Sequence, residues 1–169
     1  PAESRHVDAA FVRDGSRLAA AEMIRGGITT CSDMYFHPDA AAEAFAEIGM
    51  RAVVGAVMLE LPTPYASDAG DYLRKGLAAR DRWQGHPLIG FSIAPHAPYT
   101  VSDASFTHAR AIADELELPP LVAVPGQLEQ VLQLGERTAA RVVVARAAQA
   151  VTDELLACVA GDGLVQLAL

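Results

Sequence analysis

The chain has 169 residues, a formal net charge of −8 at neutral pH, and 51% hydrophobic residues of which few are aromatic. This length buries one core of ordinary size but is short for a complete eight-unit parallel barrel, which takes roughly 250 residues. An acidic chain without a basic run lacks the electrostatic surface that nucleic acid or an anionic membrane requires. We therefore expect neither partner.

The sequence predicts no membrane insertion and no export. No apolar stretch approaches the ~18 residues that span a bilayer, and the first residues do not show a basic segment followed by an apolar run. A cytoplasmic location is the default expectation. Cys31 and Cys158 form no paired motif. We expect two buried thiols rather than a disulfide or a thiolate zinc site.

The first fifty residues predict a helix, a strand and a second helix. Apolar residues at helical spacing mark a helix over residues 6–25, ended by the glycines at 26 and 27. Residues 28–34 are β-rich and short, which favours a strand. A second helix over residues 40–48 is introduced by Pro38, a good first helical residue, and ended by Gly49.

The same alternation continues along the chain. Residues 51–58 and 88–93 read as strands, and residues 68–83 and 102–116 read as helices, with Ser102 as an N-cap. Strands that alternate with helices predict a parallel sheet. Beyond Leu118 the pattern is weaker: the candidate strands are 121–124, 141–145 and 164–167, and the candidate helices are 127–138 and 152–160. About six strands are then expected, in one domain over residues 1–169.

Polar side chains at the ends of the predicted strands are the candidates for a functional site. In parallel α/β folds the loops after the strands meet on one face and build the site. The residues that this rule selects are Asp33, Tyr35, His37, Glu60, His96, Tyr99 and Thr100. His96 stands out because Pro95 and Pro98 restrict the backbone on both sides, which would hold the imidazole near the open face.

Each candidate also has a purely structural interpretation. His96 would then be an exposed loop residue between two turn prolines. Asp33 would serve as a cap or turn carboxylate for the following helix, and His37 would be a loop residue before proline. Glu3 would complement a helix dipole. The remaining histidines have no partner at metal-ligand spacing, so we expect surface or helix positions for His6, His86 and His108.

Five segments taken together resemble one family, the amidohydrolase superfamily, in its branch of 5'-methylthioadenosine/S-adenosylhomocysteine deaminases and chlorohydrolase-like enzymes. The resemblance covers about residues 1–119. The segments that carry it are Pro1-Ala2-Glu3, Gly26-Gly27-Ile28-Thr29-Thr30, Asp33-Met34-Tyr35-Phe36-His37, Gly49-Met50-Arg51-Ala52 and Ala94-Pro95-His96-Ala97-Pro98-Tyr99-Thr100.

The resemblance implies an α/β fold, a partial (β/α)8 barrel, and a hydrolytic deamination of a purine nucleoside-like small molecule. In such enzymes a zinc ion held by a His-x-His pair, a later histidine and an aspartate turns bound water into hydroxide, while a carboxylate moves the protons. It also implies that Glu3 and His96 contact the substrate. Asp33, His37 and Tyr99 are further candidates for the pocket.

The chain departs from this family pattern at the metal site. No His-x-His occurs in its 169 residues. Where the family carries a metal histidine and the acid/base glutamate, this chain has Ala123 and Gly126, and Ala147 stands where a later histidine is expected. A methyl group and a hydrogen atom neither coordinate zinc nor carry a proton. We therefore expect no catalytic residue, no metal ligand and no zinc on this chain alone.

Three functional hypotheses follow. The first is a fragment or degenerate member of a metal-dependent aminohydrolase family, inactive in isolation, with residues 120–169 as a divergent continuation. The second is a non-catalytic partial barrel that acts through self-association or a partner, because an open sheet edge and a half-covered apolar face are costly in water. The third is a hydrolase of another amino- or chloro-substituted heterocycle.

Overall fold

Parallel strands and connecting helices make up the computed structural model, which describes residues 3–119. Three strands form one sheet in the order β1-β2-β3, and both neighbouring pairs are parallel. The predicted alternation and the parallel sheet are therefore confirmed in this part of the chain. In chain order the elements are α1 (Glu3–His6), α2 (Ala9–Arg25), β1 (Thr30–Asp33), α3 (Pro38–Ile48), β2 (Arg51–Met58), α4 (Ala69–Trp83), β3 (Ile89–Pro95) and α5 (Asp103–Glu115).

Capping residues set the helix starts. Asp68 accepts a hydrogen bond from Asp71 N, and Ser102 accepts one from Ser105 N, so both begin helices as N-caps. The helix predicted over residues 6–25 is confirmed from Ala9 to Arg25, but it begins three residues later than predicted, because the chain leaves helix α1 after His6 and restarts at Ala9. Asp8 causes the new start, since its carboxylate accepts a hydrogen bond of 2.8 Å from Phe11 N.

Strand ends differ from the predicted bounds by a few residues. The first strand is shorter than residues 28–34, whereas β3 extends two residues further than predicted, because Met58 still pairs with Pro95. A proline is tolerated there because it lies at the end of the strand. Helix α3 ends as predicted at Gly49, which adopts the left-handed conformation with φ 79°.

Helices α3, α4 and α5 pack against the sheet, and α2 packs against α3. On β2, Ala52, Val54, Ala56 and Met58 alternate along the strand, and each is at most 3% exposed. Helix α4 lies so close that a Cβ atom added at Gly76 would be only 2.5 Å from the Ala56 Cβ. This close helix–sheet contact fixes the position of the loop between β2 and α4.

Several sequence predictions concern residues beyond this range. The candidate strands and helices after Leu118 lie outside the described residues, as does Cys158. Cys31 is 5% exposed, which confirms the prediction of a buried thiol, and burial raises its pKa to about 12. Among the described residues, none of the helices has the length and apolar character to cross a membrane.

Candidate functional site

The first residue of the loop that follows β3 is hydrogen-bonded to the neighbouring strand β2. His96 comes directly after β3, and its backbone N–H donates a hydrogen bond of 2.9 Å to the carbonyl oxygen of Met58, the last residue of β2. Glu60 lies two residues after Met58, and its backbone N–H donates a hydrogen bond of 2.9 Å to the carbonyl oxygen of Thr100. The β3–α5 loop is thus held at both ends against the end of β2.

The side chain of His96 is oriented by its own loop. His96 is half-buried, and its Nδ1 lies 3.0 Å from Thr100 Oγ1. The Thr100 hydroxyl in turn donates to the Ala97 carbonyl at 3.1 Å. The rings of His96 and Tyr99 are nearly perpendicular at a centroid distance of 6.5 Å, and Tyr99 is 69% exposed. One ring nitrogen is therefore engaged within the loop beside an exposed aromatic ring.

Glu60 connects the end of β2 to the start of α5. Its Oε1 accepts hydrogen bonds from the N–H of Ser102 at 3.1 Å and from the hydroxyls of Ser102 and Ser105. These hydrogen bonds hold the pKa of the Glu60 carboxyl below its usual range, and the bond from the Ser102 side chain has the largest effect. The strand-end rule selected Glu60, and Ser102 was predicted as an N-cap, but nothing in the sequence indicated that these two residues bind each other across 42 positions.

Asp33 is a strand residue rather than a helix cap. It is the last residue of β1 and pairs in register with Val54, just as Cys31 pairs with Ala52, so it shares a face of the sheet with that buried thiol. Its Oδ2 atom is buried and has no hydrogen-bond partner within the described part of the chain. Burial raises the pKa of the Asp33 carboxyl to about 6.

His37 lines a cavity that His96 does not line. It occupies the N-cap of α3 in the left-handed conformation with φ 55°, and its ring meets the Tyr65 ring edge-on at 4.7 Å. Burial lowers the pKa of its imidazole. The cavity that it lines has a volume of about 350 Å³ and is shared by residues of α2, α3 and α4, among them Arg13 and Lys75. His96 does not line this cavity, so the structure groups His96 with Tyr99 and Thr100 and separates His37.

The predicted pocket residue Glu3 is the first residue of helix α1.

The described residues do not form a metal site. Across residues 3–119 there is no group of three or more His, Cys, Asp and Glu side chains placed to hold an ion. Asp33 offers a buried, unpartnered carboxylate oxygen, but it has no second and third ligand beside it among these residues. Ala123, Gly126 and Ala147 lie outside the described residues.

Comparison with known proteins identifies the class to which this fold belongs. The model of the amidohydrolase family matches residues 2–140, and the chain therefore belongs to the amidohydrolase family. This confirms the resemblance found in the sequence.

Among curated relatives, the 5-methylthioadenosine/S-adenosylhomocysteine deaminase of Saccharophagus degradans is 47% identical over 119 residues, which are 70% of this chain and 27% of that protein. The enzyme of the same name from Teredinibacter turnerae is 43% identical over 116 residues, which are 69% of this chain and 26% of that protein. This chain thus spans about a quarter of the length of these relatives.

Solved structures confirm the fold as part of the amidohydrolase (β/α)8 barrel. An adenosine deaminase from Xanthomonas campestris with bound zinc matches with a TM-score of 0.71 at 37% identity, covering 90% of this chain and 34% of that one. The guanine deaminase of C. acetobutylicum matches with a TM-score of 0.61 at 15% identity, covering 81% of this chain and 35% of that one. At that identity the second match shows the fold alone.

Proposed function

We propose that this chain supplies one wall of the substrate pocket of an amidohydrolase that deaminates adenine nucleosides, and that the 169 residues alone do not carry out the reaction. The observation that carries the proposal is the placement of His96 at the end of β3, with its backbone bonded to Met58 and its ring oriented by Thr100. The names of the two curated relatives support methylthioadenosine and S-adenosylhomocysteine as the substrate class.

In this proposal His96 binds a polar group of the nucleoside and Tyr99 supplies an apolar surface beside it. The Tyr99 ring is largely exposed and stands perpendicular to the imidazole, so a flat base has an aromatic surface within reach of a hydrogen-bonding group. Glu3 provides a second polar contact to the nucleoside. Asp33 and His37 remain predicted pocket residues.

The proposed inactivity follows from the ligand chemistry. Deamination in this family uses zinc-bound hydroxide and a proton-transferring carboxylate, and the positions that match those groups carry Ala123 and Gly126. The described residues contain no alternative cluster of metal ligands. We therefore propose that zinc belongs to the complete family enzyme and that this chain alone binds the nucleoside without converting it.

Calorimetric titration of the full 169-residue chain with methylthioadenosine tests the pocket. Binding is expected for the parent chain and is expected to weaken at least tenfold in His96→Ala, because an oriented hydrogen bond to the ligand is lost. His86→Ala is the matched control, since His86 follows α4 and contacts Trp83 rather than the β3 loop. Equal binding by the two variants would contradict the role of His96, and no binding by the parent would contradict the pocket itself.

A second candidate function, self-association, is favoured by the surface of α2. Phe11, Leu18 and Ile24 on this helix are 53%, 56% and 44% exposed, which is high for large apolar side chains. Light scattering of the parent chain and of a Phe11→Ser/Leu18→Ser variant tests it. We expect a dimer or larger species that the variant reduces to monomer, whereas a monomeric parent chain would contradict this function.

A further inference from the structure

We propose that the cavity lined by residues of α2, α3 and α4 binds a small molecule through a phosphate group of that molecule. His96 does not line this cavity. The inference therefore goes beyond the proposed nucleoside pocket and does not depend on it.

Charged side chains from three helices line this cavity, which has a volume of about 350 Å³. Pockets that bind small molecules have volumes in this range. Of the described residues around the cavity, four are cations and two are carboxylates, namely Arg13, Arg74, Lys75, Arg82, Asp39 and Glu43. The whole chain, in contrast, has a net charge of −8. Positive side chains gathered on one cavity of an acidic chain attract an anion to that place.

Two of these cations share a single carboxylate. Arg74 and Lys75 both form ion pairs with Asp71, which is not one of the residues that line the cavity. Lys75 also donates a hydrogen bond to the backbone carbonyl of Tyr65, which carries no net charge. Asp71 therefore neutralises only one of the two positive charges. The side chain of Arg74 is largely exposed, so an anion can approach it from solvent.

The carboxylate of Asp39 is occupied by donors from α4. Its Oδ1 accepts hydrogen bonds from Arg82 Nε at 3.0 Å and from Trp83 Nε1 at 2.9 Å. Its Oδ2 lies 3.0 Å from the guanidinium of Arg82. This two-point contact compensates the charge of Asp39. Asp39 should therefore repel an anion in the cavity less than an unpaired carboxylate would.

Arg13 is the cation with the most donor capacity left for a ligand. A guanidinium has five N–H donors. Among the described residues Arg13 donates one hydrogen bond, from Nη1 to Glu43 Oε2 at 3.3 Å, which is long for a contact between two charged groups. Its Nε atom is buried and has no hydrogen-bond partner in this part of the chain. A further acceptor at this guanidinium would therefore be favourable.

A phosphate group matches this arrangement better than a carboxylate does. Its oxygens are arranged tetrahedrally, so they can accept hydrogen bonds from Arg13 on α2 and from Arg74 and Lys75 on α4 at the same time. A carboxylate has two oxygens in one plane and at most one negative charge. The distribution of cations over different helices thus favours a phosphate ligand.

Calorimetric titration of the full 169-residue chain with pyrophosphate tests the site. The salt concentration is about 0.1 M, at which contacts between exposed charges are largely screened. We expect saturable binding to the parent chain, weakened at least about tenfold in Arg13→Gln. Arg17→Gln is the matched control, because it removes the same charge from α2 and breaks the equivalent ion pair with Glu47, but Arg17 does not line the cavity. It should leave the affinity unchanged.

A second pair of variants tests the site without removing a cation. Glu43→Gln releases Arg13 from its carboxylate and removes a negative charge from the cavity, so pyrophosphate should bind several-fold more tightly. Glu47→Gln makes the same change at the ion pair of Arg17 and should have no effect on the affinity.

The absence of saturable binding to the parent chain would overturn the proposal, as would equal losses of affinity in Arg13→Gln and Arg17→Gln. The parent titration and Glu43→Gln keep the test decisive if Arg13→Gln fails to fold. Citrate should bind more weakly than pyrophosphate, and tighter binding of citrate would overturn the assignment of a phosphate ligand. His96→Ala should bind pyrophosphate as the parent does, which separates a failure of this site from a failure of the nucleoside pocket.

Discussion

The buried carboxyl of Asp33 should make this chain less stable as the pH rises, whereas most acidic residues stabilise a protein as they ionise. Burial moves its pKa from the ordinary value of 3.8 to about 6 in the folded chain. Because the folded-state pKa is the higher one, folding favours the protonated form, and stability is lost as the pH rises from about 4 to about 6. One pKa unit corresponds to about 1.4 kcal/mol, so the loss at pH 7 is about 3 kcal/mol.

Asp33→Asn removes this ionisation at nearly constant shape. We expect the free energy of unfolding of the variant to exceed that of the parent by up to about 3 kcal/mol at pH 8, and the difference to narrow toward pH 4. Urea unfolding at pH 4, 6 and 8, followed by the fluorescence of the single tryptophan, Trp83, measures it.

Asp68→Asn is the matched control with the opposite sign. The N-cap carboxylate of Asp68 has a lowered pKa because it accepts a hydrogen bond from Asp71 N, so its stabilising effect is present at neutral pH and is lost on acidification. A difference between Asp33→Asn and the parent that stays constant from pH 4 to pH 8, or a less stable variant at pH 8, would refute the account of the buried carboxyl.

Three further substitutions test the packing and the loop. Gly76→Ala should lower the free energy of unfolding by about 1–3 kcal/mol, because the added methyl group would lie 2.5 Å from the Ala56 Cβ. Gly15→Ala, with no atom within 4 Å of the added methyl group, should instead raise it by about 0.5–1 kcal/mol. Urea unfolding checks both, and equal effects would contradict the close approach of α4. Ser102→Ala should cost about 1 kcal/mol through loss of the cap. It should also raise the pKa of Glu60 toward its ordinary value, which an NMR titration of the side-chain carboxyl measures; an unchanged pKa would contradict the Glu60–Ser102 bond.

Local signals in the sequence were sufficient for most of the described fold. Strand β2 begins and ends where its β-branched run predicted, and Pro38 and Gly49 bound α3 as expected. Such features act within one turn of the backbone, so they can be predicted from neighbouring residues in the sequence. The break between α1 and α2 was missed because the apolar spacing continues through Asp8, while the cap hydrogen bond of that residue outweighs it.

Contacts between distant positions were beyond sequence reasoning. The strand-end rule selected single residues such as His96 and Glu60, but the hydrogen bond between Glu60 and Ser102 joins two loops 42 positions apart. The rule also grouped His37 with His96, since both follow strands. It could not distinguish them, because His37 lines a cavity together with residues of α2 and α4, and that cavity forms only when these helices are packed.

We propose that residues 1–169 retain a nucleoside-binding surface without the groups that perform deamination. The most direct test incubates the purified chain with zinc and methylthioadenosine, measures ammonia release, and determines bound zinc by elemental analysis after dialysis. We expect no ammonia above the protein-free control and zinc far below one equivalent. One equivalent of zinc together with catalytic release of ammonia would contradict it.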